Sequence, residues 1–181
     1  MKEKYPSKNV IHQVIPTVEE LLALDILTLR EHTERAGDVL DSESHAVQLQ
    51  QSLQVSQVCS VWREGELAAY AMLSPDSQSS TRWFVRAFNT HPKHRTSVVM
   101  LELFQSLAEL IKQLGISELR SHVYKTNQLS IAFHRKLGFR ISNENTKAIE
   151  FFASVEGLVS NPAIERTVKR LHLLPTAYVK P

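Results

Sequence analysis

Phosphate could be held where one strand of this chain runs into a helix. From Ser77 to Leu101 the sequence has no acidic residue, yet it carries Arg82, Arg86, Lys93 and Arg95 with His91 and His94. The run T-H-P-K-H-R-T-S-V-V-M joins a strand-like segment to a strongly periodic helical one. A helix N-terminus there offers unpaired backbone amides and the positive end of a dipole, both suited to phosphate oxygens. Residue types alone leave two readings, a solvated basic face and an anion site. Placement at a strand-to-helix turn favours the anion site. A second chemical cluster spans Asn127 to Phe139, N-Q-L-S-I-A-F-H-R-K-L-G-F. Asn127 can cap a helix and Gly138 can close it in a left-handed turn. One polar side chain and one helix face then lie beside the end of the preceding strand-like run, Glu118 to Tyr124.

Other chemistries lack their residues. The chain has eight histidines, but no H-x-x-x-H or H-E-x-x-H spacing supports a metal site. There is no G-x-S-x-G, no Walker loop and no dinucleotide fingerprint. The single cysteine, Cys59, excludes an internal disulfide framework and a Cys-based metal site, and reads as a small buried residue. Trp62 and Trp83 read as core aromatics rather than stacking platforms.

The elements that must position these residues follow from periodicity. Ile11 to Ile15 reads as a short strand. Thr17-Val-Glu-Glu20 has capping-box form and opens a helix to about Ala36, stopped by Gly37 and interrupted on its apolar face by Asp25. Ser42 to Leu53 is a weaker helix. Gln57–Arg63 and Leu67–Leu73 are strands joined through Glu64-Gly65-Glu66. Pro75 to Ser80 reads as a loop. Thr81 to His91 is a longer strand with large apolar residues on both faces, so it belongs in the centre of a sheet. Ser97 to Leu114 is the strongest helix, with Met100, Leu103, Phe104, Leu107, Leu110, Ile111 and Leu114 recurring at three and four and Gly115 as its stop. Glu118–Tyr124, the Asn127 helix, Phe139–Ser142 and Ala148–Val155 complete the order β-α-α-β-β-β-α-β-α-β-β. The strand-helix-strand unit from Trp83 to Val123 should be parallel and right-handed. The expected fold is α/β (α+β), a mixed sheet of six to seven strands with about four flanking helices.

The chain has 181 residues, 43% of them hydrophobic, which suits one compact domain over residues 1–156. Residues 157–181 form an extension rich in basic residues, with a short helix expected from Pro162 to Leu173. This tail could support a homodimer or cover an acceptor site. A net charge of +2 gives no footprint of a general nucleic-acid binder. No apolar run approaches the ~18 residues of a membrane span, and the N-terminus lacks the apolar segment of a signal peptide. A soluble cytoplasmic protein is the expectation.

The stretch from Asn127 to Phe139 resembles the C-terminal motif of the GNAT superfamily of N-acetyltransferases, N-x-x-A-x-x-x-Y-x-K-x-G-F. Asn127, Lys136, Gly138 and Phe139 match; Ser130 replaces the small Ala, and His134 stands where the family has Tyr. The strand-to-helix segment resembles that family's pyrophosphate loop, R/Q-x-x-G-x-G/A, preceded by V-x-P. Pro92 and Arg95 align, Thr90 takes the Val position, and Val98 and Met100 take the two glycine positions. Glycine lets phosphate come close to the backbone, so these two side chains bear on coenzyme A binding. With the element order, the resemblance covers roughly residues 10–156.

The resemblance implies acyl transfer from a pantetheine thioester, acetyl-CoA or another acyl-CoA, to a small-molecule or peptide amine, with no metal. Arg95 and the amides of Thr96, Ser97, Val98, Val99 and Met100 would hold phosphate. Phe88, Asn89 and Thr90 would align the pantetheine arm by backbone pairing, and Asn127 could bond its amide. A splay between that strand and Glu118–Tyr124 would admit the thioester. His134 is the candidate general acid for the thiolate, with Tyr124 as a substitute, and His122 the candidate base. Two alternatives stay open: a donor presented on an acyl-carrier protein, and a non-catalytic binding or regulatory protein on the same fold.

Overall fold

The computed structural model describes residues 14–162 and 164–166. The elements are α1 (Val18–Arg35), α2 (Ser42–Val55), β1 (Gln57–Arg63), β2 (Glu66–Asp76), β3 (Ser79–Thr90), α3 (Ser97–Leu114), β4 (Glu118–Tyr124), α4 (Gln128–Leu137), β5 (Arg140–Glu144), β6 (Ala148–Ser154) and α5 (Val155–Val159). A single 3-10 turn, Pro92–His94, separates β3 from α3. The sheet order is β1-β2-β3-β4-β6-β5. Among the described residues only β3 and β4 pair in parallel; the other neighbours are antiparallel.

Local chemistry accounts for the element ends. Thr17 and Glu20 form the reciprocal capping box of α1. The β1–β2 turn places Glu64 at φ 53° and Gly65 at φ 79°, the left-handed pair that a two-residue hairpin loop needs. Gly115 closes α3 and Gly138 closes α4, both left-handed.

One sequence expectation changes. The loop expected over Pro75–Ser80 is mostly strand: β2 runs through Asp76 and β3 begins at Ser79, leaving a tight turn at Ser77 and Gln78. Pro75 is tolerated because β1 pairing stops at Leu73, so its missing N–H faces a free edge. Asp76 Oδ1 accepts the Gln78 amide at 2.7 Å and builds the turn. The strand expected at Ile11–Ile15 falls mostly outside the described residues, and Val14 and Ile15 carry no strand. Most of the helix expected over 162–173 also lies outside them, although 162 and 164–166 are helical. The packed body continues past residue 156, because Leu158 is buried in the main apolar cluster and Ile164 packs against it.

Alternation along β2 separates the two faces of the sheet. Leu67, Tyr70 and Met72 point to α1 and α2, where they meet Leu21, Leu24 and Leu49. Ala69, Ala71 and Leu73 point the other way, with Val99 and Leu103 of α3. Val123, Ile149 and Phe151 meet Ile131 of α4. Helices thus cover both faces, and any passage through the sheet joins an α1–α2 side to an α3–α4 side.

Candidate active site

Such a passage opens between β3 and β4. Their parallel register runs Arg82↔Glu118, Trp83↔Leu119, Phe84↔Arg120 and Val85↔Ser121, and stops there. Beyond it, Ala87 to Thr90 keep β2 on one edge. His122 to Tyr124 keep β6 on one edge. The cause is visible in β3 itself. Met72 pairs with Ala87 but Leu73 pairs with Val85, so Arg86 is an extra residue. A bulge bends its strand and raises the local twist, and here it turns β3 from β4 at the position where their pairing ends.

A cavity of about 570 Å³ fills the gap. Its walls include Phe88, Asn89, Thr90, Arg95, Met100, His122, Tyr124, Asn127 and His134, all singled out in the sequence. Thr96, Ser97, Val98 and Val99 are not in the wall; they form the cap and first turn of α3 beside it. Thr96 caps the helix by accepting the Val99 amide at 3.4 Å. The amides of Ser97 and Val98 have no carbonyl one turn back, as at any helix start. Val99 is buried in the core, whereas Val98 is 44% exposed. Met100 turns back toward β3, where Thr90 Oγ1 donates to its sulfur at 3.4 Å.

The basic span is less free than its composition suggests. Arg82 pairs with Asp76 at 2.6 Å, and His94 and Lys93 meet Glu66 at 3.2 and 3.5 Å. Arg86 donates to Ser74 Oγ at 2.8 Å. Arg95 donates to the Thr90 carbonyl at 3.3 Å and lines the cleft. It is the cation next to the α3 amides.

His134 lies on the α3–α4 side and is buried. Its Nδ1 is 2.7 Å from the Ser130 carbonyl, which can only accept, so Nδ1 carries the proton. Nε2 then accepts from Ser121 Oγ at 2.7 Å. Phe151 stacks on the ring and Phe139 meets it edge-on. Burial holds its pKa below the ordinary imidazole value, against the smaller opposite pull of Ser130. A neutral ring with a set tautomer results, reaching the cleft through the Ser121 hydroxyl. His122 is mostly exposed and meets Glu150 at 3.0 Å. Tyr124 donates to Asp38 at 3.2 Å, and desolvation followed by the Asp38 contact raises its pKa. Asn127 caps α4 by accepting the Ser130 amide at 3.0 Å.

On the α1–α2 side stands a constellation that sequence reasoning did not single out. Asp25 is 2% exposed. Its carboxylate accepts from the Tyr70 hydroxyl, from Asn89 Nδ2 at 2.6 Å and from His45 Nε2 at 2.8 Å. His45 is pushed above the ordinary imidazole value, first by its hydrogen bond to Asp25. All four residues line the cleft. The available signal was a lone Asp on the apolar face of α1, a position whose burial demands partners. Ser121 was also missed, since a strand serine carries no signal of its own. Among the described residues no group of His, Cys, Asp and Glu has the geometry of a metal site, and no helix is long and apolar enough to cross a membrane.

Residues 24–139 match the family model of the acetyltransferase (GNAT) family. Comparison with curated protein sequences returns no match. Among solved structures, the PaiA N-acetyltransferase from Thermoplasma acidophilum in complex with coenzyme A is 13% identical, with a TM-score of 0.60 over 76% of this chain and 92% of that one. An acetyltransferase from Thermus thermophilus is 16% identical, with a TM-score of 0.61 over 76% and 90%. The aminoglycoside 6'-N-acetyltransferase from Enterococcus faecium is 14% identical, with a TM-score of 0.56 over 76% and 89%. At these identities the likeness is one of fold.

Proposed function

Since the chain belongs to the acetyltransferase (GNAT) family, we propose that it moves an acyl group from a coenzyme A thioester to the nitrogen of an amine. The observation that carries this reading is the end of β3–β4 pairing at Val85↔Ser121, which leaves the Arg86–Thr90 edge facing the cleft. A pantetheine arm carries amides and can add to such an edge as a strand would. The Ser97 and Val98 amides and the Arg95 guanidinium then suit the pyrophosphate. Val98 is exposed and Met100 is folded onto Thr90. The two residues at the glycine positions therefore narrow the phosphate approach without filling the cleft.

With the arm in place the thioester lies near Ser121. The amine attacks the carbonyl carbon, the C–N bond forms, and the C–S bond breaks to release thiolate. His134 acts through Ser121. When the imidazole takes up the N–H proton that the tetrahedral intermediate sheds, Nε2–H donates to Ser121 Oγ and the serine proton passes to the sulfur. Tyr124, committed to Asp38, is the weaker donor. The acceptor class extends over small amines, amino-acid derivatives, aminoglycosides and peptide N-termini.

A carrier-protein donor would use the same cleft but needs free basic residues at its mouth. Lys93 and His94 instead face Glu66, which favours free acyl-CoA. The test assays acetyl-CoA and an acetylated carrier protein against 1,4-diaminobutane, kanamycin and an alanyl peptide. Acetyl-CoA should serve as donor for at least one amine, and His134→Phe should lower its kcat about 100-fold. No binding of acetyl-CoA at millimolar concentration, followed as a thermal shift, contradicts the reading.

A further inference from the structure

The two sides of the passage are built differently. On the α3–α4 side stand the features suited to the donor, namely Arg95, the first turn of α3, and Ser121 with His134. The other side is walled by α1 and α2 through Thr28, Leu29, His32, His45, Gln48 and Ser52. Asp25 reaches the cleft from the same helix as Thr28 and His32, and it is the one carboxylate in the wall among the described residues. It is held by two neutral donors, Tyr70 and Asn89, both buried. The third partner is His45, whose side chain remains 18% exposed. The pair thus has a fixed end in the core and a reachable end at the cleft.

We propose that Asp25 and His45 form the acceptor half of the site, in which a primary alkylammonium ion gives a proton to His45 and attacks the thioester through the gap between β3 and β4. The inference rests on the acyl-CoA reading above and names the residues that receive the amine. Asp25 accepts from Nε2, so the neutral ring presents the lone pair of Nδ1. The exposed Gln48 lines the cleft beside it. His32 of α1 lines the same side of the cleft.

The step balances. The ammonium loses one proton to His45 Nδ1, and its nitrogen forms the new bond to the carbonyl carbon. The tetrahedral intermediate loses its second N–H proton as the C–S bond breaks, that proton reaches the sulfur by way of His134 and Ser121, and the sulfur leaves as a thiol. His45 then returns its proton to water. Acyl thioester and ammonium give amide, thiol and one proton. A histidine held by a carboxylate is a stronger base than a free imidazole, which suits it to take the proton from nitrogen.

The experiment compares wild type with His45→Gln and His122→Gln. Acetyl-CoA is the donor, and the acceptor is whichever of 1,4-diaminobutane, kanamycin and an alanyl peptide turns over fastest. His45→Gln should lower kcat/KM for the amine about 100-fold at neutral pH and abolish the acidic limb of its pH profile, while acetyl-CoA affinity changes less than about twofold. The other titratable or charged groups facing the same cleft are Asp25 and His32 of α1, Tyr70 of β2, Arg86 of β3, Arg95 before α3, His122 and Tyr124 of β4, and His134 of α4. The limb should therefore survive in His122→Gln. Retained acidic limb and amine kcat/KM within about threefold of wild type in His45→Gln overturn the inference. So does a wild-type protein that binds acetyl-CoA and acylates none of the three amines. Failure to bind acetyl-CoA overturns instead the reading on which it rests.

Discussion

On each side of the sheet a histidine ring is held in the cleft wall by its hydrogen bonds, and His45 and His134 are tuned in opposite directions. His45 on the α1–α2 side touches a carboxylate, and its basicity rises. His134 on the α3–α4 side touches a serine, a carbonyl and two phenyl rings, and burial lowers its basicity. The residue type is the same; the surroundings decide which form is stable. A reaction that must remove a proton from nitrogen and supply one to sulfur has use for both.

The largest effect should come from removing the charge that distinguishes the two sides. Asp25→Ala leaves the buried Tyr70 hydroxyl and Asn89 amide without their shared acceptor and should cost about 3–5 kcal/mol, read from urea unfolding. Asp25→Asn keeps the shape, and in it the His45 titration followed by NMR should fall back toward the ordinary value near 6.5. Ser121→Ala should cost less, about 1–3 kcal/mol, because it strands one buried imidazole nitrogen. His45 should remain unaffected by it.

The two histidines should also carry opposite pH signatures in stability. His45 has a folded value above its unfolded one. Its contribution is complete below the unfolded value and is lost as pH rises through the folded value. His134 has a folded value below its unfolded one. Its contribution is complete above the unfolded value and is lost as pH falls toward the folded value. Unfolding midpoints against pH should therefore show His45→Gln converging on wild type at alkaline pH and His134→Gln converging on it at acid pH. The smallest effect is expected at Arg95, which is exposed. Arg95→Ala should raise KM for acetyl-CoA about fivefold and leave KM for the amine unchanged.

The frame was legible because its signals are local. Apolar residues at three and four across Ser97–Leu114, the Thr17–Glu20 cap and Gly115 and Gly138 are each short-range statements, and each element formed where they put it. Position in the sheet could also be read, since a strand apolar on both faces must be internal, as β3 is. The gap between β3 and β4 entered only through the family resemblance. Its cause, the bulge at Arg86, depends on register against β2 and leaves no mark in the residues themselves. The acceptor side was hidden for a related reason. Asp25 looked like an interruption of an apolar face, and His45 sat in a weakly patterned helix. Asp25 is 20 residues from His45 and 64 from Asn89, so only folding shows that they meet.

A crystal structure of the protein with coenzyme A asks whether the passage is used. The pantetheine arm should lie between Arg86–Thr90 and His122–Tyr124, with the pyrophosphate on the Ser97 and Val98 amides and the sulfur beside Ser121. Coenzyme A bound elsewhere, or β3 and β4 paired beyond Val85↔Ser121 with the cleft closed, contradicts it.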